Sequence, residues 1–195
     1  MARTSSIKQK ICQHAQQLFN EKGYENVSLR EIAESAGTTI GNLTYHFPQK
    51  EVLLEAIQHE LHLEFENEFF ANLNNKNILE NIYLSFTNSQ INREKNPFYY
   101  KYVFELCKDS CTLAHNNEQF RKKLYEFYIH SFTALRIQGV MRNDIPEKQY
   151  ETLAYTIVFM QALWIQNSTP YYDMALPKIS LANALRDMIY PYLTV

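Results

Sequence analysis

The sequence predicts an all-α protein, and three observations carry that prediction. Apolar residues recur at three- and four-residue intervals along most of the chain, the spacing that lines one side of a helix. No segment of useful length alternates apolar and polar residues as a half-buried strand does. Turn formers are scarce, with 4 glycines and 6 prolines in 195 residues. That is too few for the many tight turns of an all-β fold, and five of the prolines fall between periodic stretches.

The elements follow in order. Ile7, Ile11, Ala15, Leu18 and Phe19 form the apolar stripe of a first helix, and Gly23 sits where a helix end favours a left-handed residue. A short connector, 24–27, leads to Ser28. Its hydroxyl is placed to cap a second helix, with Glu31 reaching back in a capping box. Leu29, Ile32, Ala33 and Ala36 make the apolar side of that short helix, and Gly37 stops it. Thr38 or Thr39 caps a third helix running to about His46. Phe47 precedes Pro48 and is biased out of the helical region, so a boundary falls there. A long helix over 49–71 carries Leu53, Ile57, Leu61 and Phe65 on one side. Pro97, Pro146, Pro170 and Pro177 then separate stretches at 78–93, 98–141 with a break near Asn116, 147–167 and 178–193. There is no internal repeat and no low-complexity tract. The expected division is a helix-turn-helix domain at 1–50 and a helical body at 51–195.

Composition narrows the function classes. Hydrophobic residues make up 46% and charged residues 21%, ordinary for a globular chain of one or two domains. Net charge is −2, unevenly spread. Residues 1–50 hold six lysines and arginines against four acids, a net of +2; the rest holds 13 against 17, a net of −4. The first ten residues carry Arg3, Lys8 and Lys10 and no acid. A basic head on an acidic body is compatible with phosphate contact at one end. Cys12, Cys107 and Cys111 are too few, and odd in number, for a disulfide framework. Cys107, Cys111 and His115 share a four-residue spacing that could hold a metal or a nucleophile, but small buried cysteines are the ordinary reading. No glycine-rich phosphate loop, nucleophile elbow or paired metal motif accompanies them. We therefore expect no enzyme, no cofactor and no metal. No signal peptide is visible, and the most apolar stretch, 155–165, is too short to span a bilayer. The expectation is a cytoplasmic protein that does not contact membranes.

Two short helices joined by a glycine-containing turn, inside a three-helix unit, are the signature of a helix-turn-helix. The first helix holds the second, which is short enough to lie in the major groove of DNA. Residues 28–54 carry Ile32-Ala33, Ala36-Gly37, a hydroxyl at Thr39, Gly41, Leu43, His46-Phe47, and Lys50 with Leu53. Ala15, Leu18-Phe19 and Gly23-Tyr24 precede them. In this order the residues resemble the head of the tetracycline-repressor (TetR/AcrR) family of transcriptional regulators. The resemblance covers about the first quarter of the chain; behind it the body shares the family's length and helical character.

That resemblance implies roles. Leu43 and Phe47 would pack the third helix into the head, although a helical wheel also turns Ile40 inward. Arg30 would reach a base edge or phosphate. Thr39, Gly41, Thr44 and His46 fall where the family contacts backbone and bases, and Lys50 would hold a phosphate. Asn42 would read adenine and Ile40 a thymine methyl. The chain departs from the family in three places. Thr44 stands where tyrosine is usual, with the aromatic next door at Tyr45. Thr38 replaces the usual valine after the turn glycine, and Pro48-Gln49 replaces a better cap before Lys50.

The body would bind a small molecule, apolar and neutral or cationic, between helices bearing Tyr99, Tyr102, Phe104, Tyr128 and Phe132, closed by Trp164. Glu105 or Glu126 would pair a cationic ligand. Each aromatic alone reads equally well as core. Residues 147–167 are apolar on nearly all sides, and 178–193 offer Leu181, Leu185, Met188 and Tyr192. The two helices are expected to pair with their mates in a two-fold four-helix interface. The function expected is a dimeric, ligand-responsive regulator binding a palindromic double-stranded DNA operator, a repressor released by its effector. A transcriptional activator and a helical protein-interaction adaptor remain the alternatives.

Overall fold

The computed structural model describes residues 6–72, 77–164 and 179–194, without the side chains of residues 68–72, Tyr102, Phe104 and Asp109. Its elements are α1 (Ile7–Lys22), α2 (Leu29–Ser35), α3 (Ile40–His46), α4 (Lys50–Asn72), α5 (Ile78–Lys95), α6 (Pro97–Asp109), α7 (Cys111–Ile137), α8 (Glu147–Leu163) and α9 (Leu181–Ile189), then a 3-10 turn at Tyr190–Tyr192. The architecture is all-α, a helix-turn-helix head and a helical body. The N-terminal Arg3, the stretch 165–167, residue 178, and Pro170 and Pro177 lie outside the described residues.

The chain divides into two compact units. One contains residues 1–63 and 96–115, the other residues 64–95 and 116–195. In the first, α1 packs on α2 and on α6, and α2 on α3. Its core joins Ile11, Ala15, Phe19, Ile32, Leu43 and Phe47 to Leu53, Ile57, Phe98, Tyr99 and Val103. In the second, α9 packs on α5 and α8, and the core runs from Phe65, Ile82 and Phe86 through Tyr128, Phe132 and Leu135 to Ile157 and Leu185. An antiparallel bridge between Met141 and Leu193 ties the tail to the connection after α7, with Arg142 N–H donating to the Tyr192 carbonyl at 2.9 Å.

Several boundaries differ from expectation for identifiable reasons. The break expected near Asn116 falls at Ser110, which is extended at φ −132° and ψ 113°. The Ser110 hydroxyl accepts the Leu113 N–H at 3.2 Å and donates to Glu55 at 3.0 Å, so it caps α7 while Asn116 lies inside that helix. The stretch expected to reach 141 stops at Ile137. Gly139 adopts φ 72° there, and Val140 N–H turns back to the Leu135 carbonyl at 2.9 Å, the left-handed helix stop that glycine allows. The last helix gives way to the 3-10 turn at Tyr190–Tyr192, where Pro191 has no N–H to continue the helix. Ser28 accepts the Glu31 N–H at 3.2 Å as expected. The Glu31 carboxylate does not reach back, because it pairs with Lys22 instead. The reciprocal box forms at α1, where Ser6 and Gln9 exchange bonds of 3.0 and 3.3 Å.

Candidate nucleic-acid interface

The turn between α2 and α3 is built by three local devices. Gly37 adopts φ 64°, Thr38 N–H returns to the Ala33 carbonyl at 2.9 Å, and the Thr39 hydroxyl caps α3 by accepting Asn42 N–H at 3.1 Å. Of the two candidate caps, Thr39 is the one used. α3 is then split by face. Leu43 and Phe47 are buried in the core, while Tyr45 is 82% exposed and Ile40 44% exposed. The helical wheel turned Ile40 inward, and the structure corrects this. Side chains lean toward a helix N-terminus, and Ile40 is the first residue of α3, so it leans off the end of the packed face.

The outward face carries the remaining expected contacts. Gly41 and Asn42 are exposed, and a Cβ built on Gly41 would meet nothing within 4 Å. Asn42 donates from Nδ2 to Thr38 Oγ1 at 2.8 Å. Thr44 turns its hydroxyl back on its own helix, 3.0 Å from the Ile40 carbonyl and 3.2 Å from that of Gly41. Its single proton is committed there, and the exposed phenol next to it is Tyr45. The His46 ring is half-buried between its neighbours, 5.1 Å from Tyr45 and 6.5 Å from Phe47. Arg30 projects from α2 and touches Glu34 at 3.6 Å, an exposed i,i+4 pair of the kind worth about 0.3–0.5 kcal/mol.

Lys50 is more constrained than a solvated lysine. Its ammonium donates to the Tyr24 carbonyl and lies 4.2 Å from the Tyr24 ring centroid and 5.7 Å from that of Phe19. Burial lowers its pKa from the ordinary value, against the opposing pull of Glu25 and Glu51. An ammonium has three N–H donors, so this contact leaves two for another acceptor.

The aromatic residues expected to line an effector site do not fall in one core. Tyr99 belongs to the first unit, its hydroxyl accepting from Gln58 Nε2 at 3.0 Å. Tyr128 and Phe132 are buried in the second unit, ring centroids 6.1 Å apart at 26°. Trp164 packs against that second core and accepts Arg93 Nη1 at 3.1 Å on its carbonyl. The side chains of Tyr102 and Phe104 lie outside the described residues. Glu105 is exposed, and Glu126 is exposed beside Lys122 at 3.9 Å. Two polar groups that the sequence reading passed over meet Tyr128. Its hydroxyl is 2.8 Å from Ser85 Oγ and donates to Gln161 Oε1 at 3.1 Å. The available signal was a polar residue on an otherwise apolar face, Ser85 between Ile82 and Phe86, and Gln161 a turn after Ile157 and Val158.

On α8 the buried face is Leu153, Ala154, Ile157 and Val158. The opposite face leaves Tyr155 65% and Phe159 51% exposed, their rings stacked at 12°, with Leu163 beyond. On α9, Leu181 and Leu185 are buried in the chain's own core rather than offered outward. Among the described residues no group of three or more His, Cys, Asp or Glu is placed to hold a metal. No helix among them is long and apolar enough to cross a membrane.

The sequence profile of the bacterial regulatory proteins of the tetR family matches residues 11–57. The probable HTH-type transcriptional regulator YttP of Bacillus subtilis is 40% identical over 57 residues, 29% of this chain and 28% of that protein. The HTH-type transcriptional regulator AcrR of Shigella flexneri is 29% identical over 108 residues, 52% of this chain and 49% of that protein. The chain thus aligns with half or less of the length of these curated relatives. A TetR-family transcriptional regulator of Marinobacter aquaeolei VT8 superposes with a TM-score of 0.75 at 20% identity, covering 97% of this chain and 92% of that one. AibR, crystallised with isovaleryl coenzyme A and operator DNA, superposes at 0.66 and 19% identity, covering 96% of this chain and all of its own, 100%. At these identities the structural matches speak to the fold.

Proposed function

The chain belongs to the TetR/AcrR family of transcriptional regulators, and on that premise we propose that it is a dimeric regulator of transcription. It binds a palindromic operator through α2 and α3 and leaves it when a small, largely apolar effector binds. The face of α3 carries the DNA half of this reading. Leu43 and the following Phe47 are spent on the core, and its outer side presents Ile40, Gly41, Asn42 and Tyr45. Glycine inside a helix costs roughly 0.5–1 kcal/mol against alanine, and nothing within 4 Å of Gly41 requires its small size. An exposed helical glycine with open space around it suits a surface that another molecule approaches closely.

In this reading the DNA-binding domain is 1–50 and the effector and dimerisation domain is 51–195. Asn42 and Ile40 read bases; Arg30, Thr39, Tyr45, His46 and Lys50 hold backbone or base edges. Thr44 contributes through the helix it back-bonds. The uncovered α8 face of Tyr155, Phe159 and Leu163 supports a two-fold partner seated there, with α9 contributing less than the sequence suggested. The effector lies against Tyr128, Phe132 and Trp164, where Ser85, Tyr128 and Gln161 can receive one polar group of an otherwise apolar molecule. AibR, which shares this fold, was crystallised with both isovaleryl coenzyme A and operator DNA, so the fold can hold a small molecule as well as DNA. α4 contributes residues to both units and is the covalent route for that coupling. Typical coupling of about 1–3 kcal/mol would change operator affinity about 5- to 150-fold.

Selection of bound duplexes from a random pool tests the reading. We expect an inverted repeat whose half-sites lie roughly 34–36 Å apart or a multiple of it, and binding that weakens steeply with salt. Absence of salt-dependent DNA binding would refute it in favour of a protein-interaction adaptor. A reporter driven from the recovered site then separates repression from activation.

A further inference from the structure

Asn42 is the outward-facing side chain of α3 best suited to base reading, and in the structure its carboxamide already has a partner. Its Nδ2 donates to Thr38 Oγ1 at 2.8 Å, across one helical turn. Thr38 is itself held firmly. Its N–H is bonded to the Ala33 carbonyl at 2.9 Å in the turn that follows Gly37, it is half-buried, and its β-branched side chain is stiff about χ1. The competing hydroxyl at Thr44 is committed to the Ile40 and Gly41 carbonyls, and that at Thr39 accepts the Asn42 backbone N–H.

We infer that Thr38 is a positioning residue for sequence recognition, one that orients the Asn42 carboxamide to prefer adenine over guanine. The inference rests on the DNA-binding reading above and adds the device that sets base choice at one position. A carboxamide has two N–H donors and one acceptor oxygen. With one N–H spent on Thr38, one donor and Oδ1 remain to face outward. Adenine presents N7 as acceptor and N6–H as donor in the major groove, which is complementary to that pair. Guanine presents two acceptors, N7 and O6, which would want both N–H groups. The clamp removes the second one. An unclamped asparagine could offer either edge, and it would also lose rotamer freedom at the moment of binding.

The experiment uses the full-length protein. Selection from a random pool gives the wild-type motif, and the same selection with Asn42→Ala identifies the position that loses its preference. Affinities are then measured on duplexes differing only by adenine or guanine at that position, for wild type, Thr38→Val and Thr38→Ser. Valine keeps the shape and removes the hydroxyl; serine restores it. Wild type should prefer adenine by about 5- to 150-fold, the range of one good bidentate contact. Thr38→Val should reduce that preference by about 2- to 12-fold, the worth of one hydrogen bond, while salt slope and melting temperature stay put. Thr38→Ser should recover most of it. The inference is overturned if wild type selects guanine where Asn42 reads, if Thr38→Val keeps the full preference, or if it weakens all sequences equally. Failure of the wild type to bind DNA in a salt-dependent way would instead remove the DNA-binding reading, and this inference with it.

Discussion

Replacing Tyr128 with phenylalanine isolates the buried polar chain of the second unit from the aromatic packing around it. The ring stays, and with it the stack on Phe132 and the 6.0 Å contact with Phe86, so no cavity opens. Only the hydroxyl is lost. Ser85 Oγ keeps the Ile82 carbonyl at 2.7 Å and is little affected. Gln161 Oε1 loses its donor at 3.1 Å, and Gln161 is 5% exposed with no partner for Nε2 among the described residues. Stranding a buried polar group costs about 1–3 kcal/mol, which puts Tyr128→Phe near 2 kcal/mol. For a chain of 195 residues, each kcal/mol moves Tm by about 2–4 °C, so the expected drop is about 4–8 °C. Burial raises the Tyr128 pKa well above the ordinary value, so the phenol stays protonated and the effect should not vary from acid to mildly alkaline buffer. The assay is thermal unfolding followed by circular dichroism at fixed protein concentration, because association shifts apparent stability. Tyr128→Phe combined with Gln161→Leu removes the stranded amide and should return about half of the loss or more. A single-variant drop below about 2 °C would show that water reaches Gln161, and no recovery in the double variant would place the cost in the ring; either outcome refutes the reasoning.

Three further outcomes are expected. Lys50→Ala should weaken binding to every sequence and flatten the salt slope by about one unit. Lys50→Met, which removes the ammonium but keeps an unbranched side chain of similar length, should do the same to the slope, and an unchanged slope in both would remove the phosphate role. Phe159→Glu should turn a dimer at micromolar concentration into a monomer by sedimentation equilibrium, because it places a charge in the centre of the uncovered α8 face; a variant as dimeric as wild type would move the interface elsewhere. The Cys12 thiol, buried in the first core, is pushed up to about 12 by desolvation, with Glu60 adding to it and Lys8 opposing. Maleimide in mildly alkaline buffer should therefore label exposed Cys111 quickly and Cys12 only after denaturation, as read by peptide mass spectrometry; rapid native labelling of Cys12 would contradict its burial.

Local chemistry was enough to locate the head. Ser28, Gly37 and Thr39 act on groups within a few residues of themselves, so capping and turn rules placed α2, the turn and α3 from sequence alone, while the family resemblance pointed to Leu43 and Phe47 as the packed side. The helical wheel misjudged Ile40, because a wheel carries no information on where a helix ends. Ser110 escaped notice because its worth as a boundary depends partly on Glu55, 55 residues away, and the hold of Tyr24 on the Lys50 ammonium escaped notice because the two meet only in the fold. The body was less legible still. Its aromatic residues share one composition and one spacing, yet Tyr99 joins one core and Tyr128 another, and Tyr128 acquires Ser85 and Gln161 from two other helices. Sequence alone established the helical class and the helix-turn-helix head, since both rest on interactions within a turn or two of chain. Only the tertiary structure decided which apolar faces are spent inside the chain and which, like Tyr155 and Phe159, are left for something else, since burial is a property of helices that meet across long separations in sequence.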